Sequence, residues 1–167
     1  MSRIILIGPP GAGKSTVGLA LANDLKQDFV DTDQLIEEQT GKSITDIFVV
    51  DGEPHFRALE LQAVKDVLAL DSAVISLGGG APISEAAQQV LGASQSHIVF
   101  LDVALATAAP RVGFNRDRPL LLGNPRAQWQ ALSDNRRPIY EALANDCIKV
   151  DDMSVDQVVT AIKEKLA

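Results

Sequence analysis

The chain has 167 residues, 46% of them apolar and 22% charged, with a formal charge of −7 at pH 7. That balance suits a single domain with a substantial core and excludes disordered, collagen-like and coiled-coil classes. The acidic excess disfavours general nucleic-acid binding, and no apolar run approaches the ~18 residues of a membrane span. The opening stretch before Gly8 holds too few apolar residues for a secretory signal. Cys147 is the one cysteine, so neither an internal disulfide nor a Cys-rich zinc site is expected. The expectation is a cytoplasmic protein, monomeric for want of any oligomerisation signal.

Residues 3–7 form a short apolar run ending at Gly8 and read as a buried parallel strand, followed by a glycine-rich turn. Val17, Leu21 and Leu25 predict a helix over 14–26. A second strand is predicted over 29–31, then a helix over 33–39 capped by Asp33 and closed by Gly41. A short helix over 43–50 takes Ser43 as its cap, and a longer one covers 54–70. The strand 73–77 runs into Gly78, Gly79 and Gly80. Residues 84–91 are helical and 97–101 form a strand. The helix over 104–112 is expected to be shortened by Pro110. Residues 113–125 read as a loop, and 128–145 as a helix that Pro138 should kink or divide. The last strand is 147–150, and Ser154 with Gln157 forms a capping box opening the terminal helix. Alternating strands and helices predict an α/β domain over 1–167, with a parallel sheet covered on both faces.

Six of the eight arginines fall between Arg111 and Arg137, opposed only by Asp117 and Asp134, and no lysine joins them. In an acidic protein such a segment points to a local anion site, because planar guanidinium forks suit phosphate and carboxylate.

The run Gly8-Pro9-Pro10-Gly11-Ala12-Gly13-Lys14-Ser15 matches the phosphate-loop pattern G-x-x-x-x-G-K-[ST], between a predicted strand and a predicted helix. Glycines there let backbone N–H groups turn toward phosphate oxygens, and the helix N-terminus adds partial positive charge. Lys14 would reach the β- and γ-phosphates, and Ser15 would offer its hydroxyl to Mg²⁺. A nucleoside triphosphate is implied. No Asn-Lys-x-Asp guanine reader and no Asp-x-x-Gly switch follows, and the chain is short for a motor or helicase. A small-molecule kinase remains, which needs an acceptor pocket, metal ligands and cations over the transferring group.

Asp31 and Asp33 flank Thr32 at the end of the second predicted strand, on the edge that carries the loop. On an extended segment both would face the same way. Asp31 could hold Mg²⁺, and Asp33 could orient the acceptor hydroxyl and take its proton; alternatively both are loop acids, with Asp33 a helix cap. Asp102, after the apolar run 98–101, competes with Asp31 for the metal and is the better candidate for a cap. His55 and His97 lack metal-ligand spacing. Cys147 reads as a small buried apolar residue and Trp129 as a packing residue.

Six segments in order make the chain resemble the shikimate kinase family over nearly its whole length: residues 8–16, Asp31-Thr32-Asp33, Phe56-Arg57-x-x-Glu60, Gly78-Gly79-Gly80, Arg118-Pro119-Leu120-Leu121 and Arg136-x-Pro138-x-Tyr140. The resemblance implies a P-loop fold like that of nucleoside monophosphate kinases, with a five-stranded parallel sheet in order 2-3-1-4-5. It also implies an acceptor-binding subdomain at about 33–60 and a mobile lid at about 113–125. The implied reaction moves the γ-phosphoryl group of ATP to the 3-hydroxyl of shikimate, on the route to chorismate and the aromatic amino acids.

On the same resemblance, Gly11, Ala12, Gly13, Lys14, Ser15, Thr16, Arg111 and Arg118 would bind ATP. Asp33, Arg57, Gly78, Gly79, Gly80 and Arg136 would bind shikimate. Ser15 and Asp31 would take Mg²⁺, and Lys14, Asp33 and Arg118 would be catalytic. Arg136 is preferred over its neighbour Arg137 by register with Pro138 and Tyr140. Arg116 and Asp117 receive no role, and at 151–154 any adenine contact would come from backbone. A kinase for gluconate or a nucleoside monophosphate would share the loop and lid but not Arg57, the triple glycine and Arg136 together. A regulatory module without turnover would not need Lys14, Asp31, Asp33 and Arg118.

Overall fold

A computed structural model describes residues 3–112 and 124–167. In strand β1 (Ile4–Ile7) side chains alternate across the sheet: Ile4 and Leu6 enter one layer of the core, Ile5 and Ile7 the other. A strand covered on both faces has no polar side to show, which is why its sequence is an unbroken apolar run. Next come α1 (Lys14–Leu25), β2 (Phe29–Asp31), α2 (Thr32–Thr40) and α3 (Ile44–Asp46), which continues into a π-helical turn over Ile47–Asp51. Then follow α4 (Glu53–Leu68), β3 (Val74–Ser76), α5 (Glu85–Ala93), β4 (His97–Asp102) and α6 (Leu105–Val112). The chain ends with α7 (Pro125–Leu143), β5 (Asp146–Lys149) and α8 (Val155–Leu166).

All five strands are parallel, in the order β2-β3-β1-β4-β5. Ile5 pairs with Ile75 on one side and Ile98 on the other. The chain leaves β1 toward one edge of the sheet and later crosses to the other. The carboxyl end of β1 is therefore the topological switch point, where open α/β sheets hold ligands. One core layer gathers Leu21 and Ile162 from α1 and α8, and the other Val64 and Leu91 from α4 and α5. Helix α7 contributes to both, Trp129 to the first and Tyr140 to the second. Ile36, Ile47, Phe56 and Ala63 form a separate small core in the excursion between β2 and β3.

Several local expectations need correction. The cap of α2 is Asp31, whose carboxylate accepts the N–H groups of Asp33 and Gln34 at 2.9 and 3.2 Å. Asp31 still has extended backbone while Thr32 is already helical, so strand and helix meet without a spacer and Asp33 sits in the first turn. Helices α6 and α7 run through Pro110 and Pro138 instead of stopping or dividing there. The carbonyls these prolines would orphan belong to Ala106 and Asp134, both exposed, so water can satisfy them. Helix α7 begins at Pro125 rather than 128, with the Asn124 side chain accepting Ala127 N–H at 3.2 Å. Cys147 is exposed on the edge strand β5, not buried. The capping box of Ser154 and Gln157 is formed as expected. Among the described residues no helix is long and apolar enough to cross a membrane. The expected lid, with Arg116, Asp117 and Arg118, falls largely within 113–123 and lies outside the described residues.

Candidate active site

A cavity of about 490 Å³ opens at the carboxyl end of the sheet between the phosphate loop, the β2–α2 junction and the turn after β3. Gly11 and Gly13 take positive φ, 86° and 90°, which side chains on L-residues resist. The Lys14 ammonium donates to the carbonyls of Gly8 and Pro9 at 2.7 and 3.0 Å, holding its charge over the loop. Ser15 donates its hydroxyl to the Asp31 carboxylate and lies 3.4 Å from the Ser76 hydroxyl. Thr16 follows in the exposed first turn of α1. Arg111, near the end of α6, donates to the Gly11 carbonyl at 3.1 Å and borders the same cavity.

The part of the site formed by the β2–α2 junction and the turn after β3 is held together by Thr32, which is fully buried. Its hydroxyl accepts the Gly78 N–H at 3.0 Å and donates to the Ser76 carbonyl at 3.5 Å, joining the start of α2 to the turn after β3. The Asp33 carboxylate consequently lies against Gly78, where an added methyl would stand 2.5 Å from Oδ1. At Gly80 a methyl would collide with Arg57 Nη1 and stand 3.3 Å from Arg136 Nη2. One carboxylate and two guanidinium groups thus pack against bare backbone, which accounts for three successive glycines.

Arg57 is fixed before any ligand arrives. It donates to Glu60 at 2.8 Å and Glu53 at 3.2 Å, and its guanidinium lies 5.4 and 5.8 Å from the ring centroids of Phe56 and Phe48. Burial works against the Arg57 charge, but Glu60 and Glu53 outweigh it and hold the guanidinium above its usual range. Glu60 is itself 4% exposed; burial pushes its carboxyl up and Arg57 pulls it back.

Arg136 and Arg137 point to different tasks. Arg136 reaches Gly79 and Gly80, whereas Arg137 forms two hydrogen bonds to Asp102, at 2.5 and 3.0 Å, and lies over the Phe100 ring. Asp102 is therefore neither a metal acid nor a helix cap. It is 8% exposed, and a carboxylate so buried needs a charged partner, which Arg137 provides. The N–H of Ala104 at the start of α6 is accepted by Asp151 instead.

Two contacts have no counterpart in the sequence analysis. Trp129 donates its indole N–H to the Pro10 carbonyl at 2.9 Å, and Tyr140 donates its hydroxyl to the Gly79 carbonyl at 2.6 Å. Burial pushes the Tyr140 phenol up to about 12, so it stays protonated and keeps donating throughout the neutral range. Tyr140 is visible in the sequence as part of a motif, as is Glu60, but neither carries a role there. Trp129 gives no signal, because its partner is 119 residues away.

The Ser15 hydroxyl, the Asp31 carboxylate and the neighbouring Ser76 hydroxyl are hard oxygen donors, the kind Mg²⁺ accepts alongside water and phosphate. No group of three or more His, Cys, Asp or Glu able to cage a metal occurs among the described residues. A nucleotide-associated ion fits this donor set better than a metal held by protein alone.

The profile of the shikimate kinase family matches residues 10–167. The chain belongs to that family. Among curated members it is 46% identical to the shikimate kinase of Thermobifida fusca over 162 residues, covering 97% of this chain and 93% of that protein. It is 45% identical to that of Salinispora arenicola over 164 residues, covering 98% and 96%. Shikimate kinase from Acinetobacter baumannii, solved in complex with shikimate, superposes with a TM-score of 0.95 at 30% identity over 99% of this chain and 93% of that one. A deoxyadenosine kinase from M. mycoides shares the fold, with a TM-score of 0.64 at 16% identity over 98% of each chain. The family is one of ATP-dependent kinases, which use a nucleotide-associated metal.

Proposed function

We propose that the chain transfers the γ-phosphoryl group of ATP to the 3-hydroxyl of shikimate, releasing shikimate 3-phosphate and ADP, as a step toward chorismate and the aromatic amino acids. The observation that carries this is the convergence of Asp33, Arg57 and Arg136 on the turn Gly78-Gly79-Gly80, whose first two residues and Asp33 line a cavity shared with the phosphate loop. Two guanidinium forks fit a carboxylate, and an aspartate fits ring hydroxyls. We assign the acceptor carboxylate to Arg57 and Arg136, and its reacting hydroxyl to Asp33. Gly78, Gly79 and Gly80 let the acceptor approach the backbone.

Gly11, Ala12, Gly13, Lys14, Ser15 and Thr16 of the loop and the start of α1 hold the phosphates, with Arg111 at the adenine end. Arg118 is assigned to the charge that develops on the transferring group. Ser15 and Asp31 would hold Mg²⁺, which when bound offsets negative charge on the phosphate oxygens. Residues 33–60 act as the acceptor-binding subdomain of a single kinase domain with its lid at about 113–125. We place the enzyme in the cytoplasm as a monomer.

The direct test is ADP release from Mg²⁺-ATP with and without shikimate, with gluconate and AMP as control acceptors. Stimulation by shikimate alone is expected; no stimulation by shikimate, with ATP still bound, overturns the assignment.

Two variants separate the acceptor groups from the nucleotide groups. Arg57→Ala is expected to raise the shikimate KM about 10- to 100-fold with the ATP KM nearly unchanged, because it removes a charge-assisted contact to acceptor alone. The Tm should fall as well, since buried Glu60 loses its partner. A normal shikimate KM would refute the role. Gly80→Ala should raise the shikimate KM about 10-fold or more by displacing the Arg57 guanidinium. Its Tm should fall too, though less than in Arg57→Ala, since the displaced Nη1 is the atom that pairs with buried Glu60; an unchanged KM would show that this approach does not matter.

A further inference from the structure

On the shikimate kinase assignment of the site, we propose that Trp129 and Tyr140 are positioning residues through which helix α7 orients one peptide plane in the nucleotide loop and one in the acceptor turn. The observation is that one helix grips both halves of the site by their carbonyls. Trp129, 2% exposed, donates to the Pro10 carbonyl at 2.9 Å, and Tyr140, fully buried, donates to the Gly79 carbonyl at 2.6 Å.

In a planar trans peptide the C=O of one residue and the N–H of the next point in opposite directions, and no cis bond occurs among the described residues. Drawing the Pro10 carbonyl toward α7 therefore turns the Gly11 N–H away from α7, toward the phosphate site. Drawing the Gly79 carbonyl toward Tyr140 likewise turns the Gly80 N–H away from Tyr140, at the residue whose Cα packs against the Arg57 and Arg136 guanidinium groups. Both planes adjoin glycines, whose backbone has little preference of its own, so an external anchor decides which way the N–H faces. Helix α7 reaches both because it contributes to both core layers, and the Arg137–Asp102 pair between its two anchors holds it to the end of β4.

The test is a crossed comparison of binding, with folding followed by thermal melting. A nonhydrolysable ATP analogue with Mg²⁺, and separately shikimate, are titrated calorimetrically into wild type, Trp129→Phe and Tyr140→Phe. Loss of the indole donor is expected to weaken the nucleotide analogue about 5- to 10-fold and leave shikimate within about twofold. Loss of the phenol oxygen is expected to do the reverse, by a similar factor. A merely structural role would move both ligands together in each variant, and that result, or no movement in either, overturns the proposal. If Trp129→Phe does not fold, Tyr140→Phe decides the matter, since it removes a single oxygen, one that bonds Arg136 as well as the Gly79 carbonyl; unchanged shikimate affinity then overturns it. The nucleotide titration needs no acceptor. It therefore still reports on Trp129 if wild type fails to turn over shikimate, which would defeat the functional assignment instead.

Discussion

Lys14→Met is expected to reduce kcat by about 10³-fold or more, equivalent to roughly 4 kcal/mol of lost transition-state stabilisation. Methionine preserves most of the apolar stem, so the variant removes a charge and not a volume. That charge sits over the loop, held by the carbonyls of Gly8 and Pro9, where it can move to the β- and γ-phosphates without leaving the site. Phosphoryl transfer involves little bonding to protein; positioning and electrostatic stabilisation supply almost all the acceleration. Removing one preorganised cation from such a site therefore acts on kcat more than on stability. A near-normal kcat with an unchanged Tm would contradict the phosphate-loop assignment.

Asp33→Asn is expected to lower kcat by about 10²-fold, the range typical of losing a general base. The substitution is isosteric and should preserve the packing against Gly78, while the amide can no longer accept a proton at neutral pH. Asp33 is held at the start of α2 by the hydrogen bond from its own N–H to Asp31, so the comparison is between two groups in one fixed place. Steady-state kinetics with shikimate as the varied substrate separates two roles. A large fall in kcat identifies the base. A small fall with a raised shikimate KM would make Asp33 a residue that orients the hydroxyl, which a loose transition state with little early proton removal would tolerate.

The sheet is legible in the sequence because its signals are local. Apolar runs mark parallel strands, and the glycine loop after β1 falls at the switch point that strand order creates. Corrections arise where a residue's role is set by a distant partner. Asp102 resembles a metal acid or a cap, and only the fold brings Arg137 onto it across 35 residues. Strand alternation puts Asp31 and Asp33 on one edge, but the helix begins at Thr32, so their convergence on the cavity has a different origin. Asp31 caps the helix and Thr32 ties it to Gly78. The exposure of Cys147 follows from the face it takes on the edge strand β5, where Cys147 and Lys149 are exposed and Ile148 between them is buried. The early start of α7 is in principle readable, since Asn124-Pro125 is a cap followed by a first-turn proline.

The burial of Trp129 has an optical consequence. It is the single tryptophan of the chain, and its indole N–H is committed to the loop that cradles phosphate. Selective excitation of tryptophan therefore reads one place in the molecule, and that place is the nucleotide loop. Emission should shift when ATP reorganises the loop and respond far less to shikimate, giving the enzyme an intrinsic fluorophore that tells occupancy of one substrate from the other without a label.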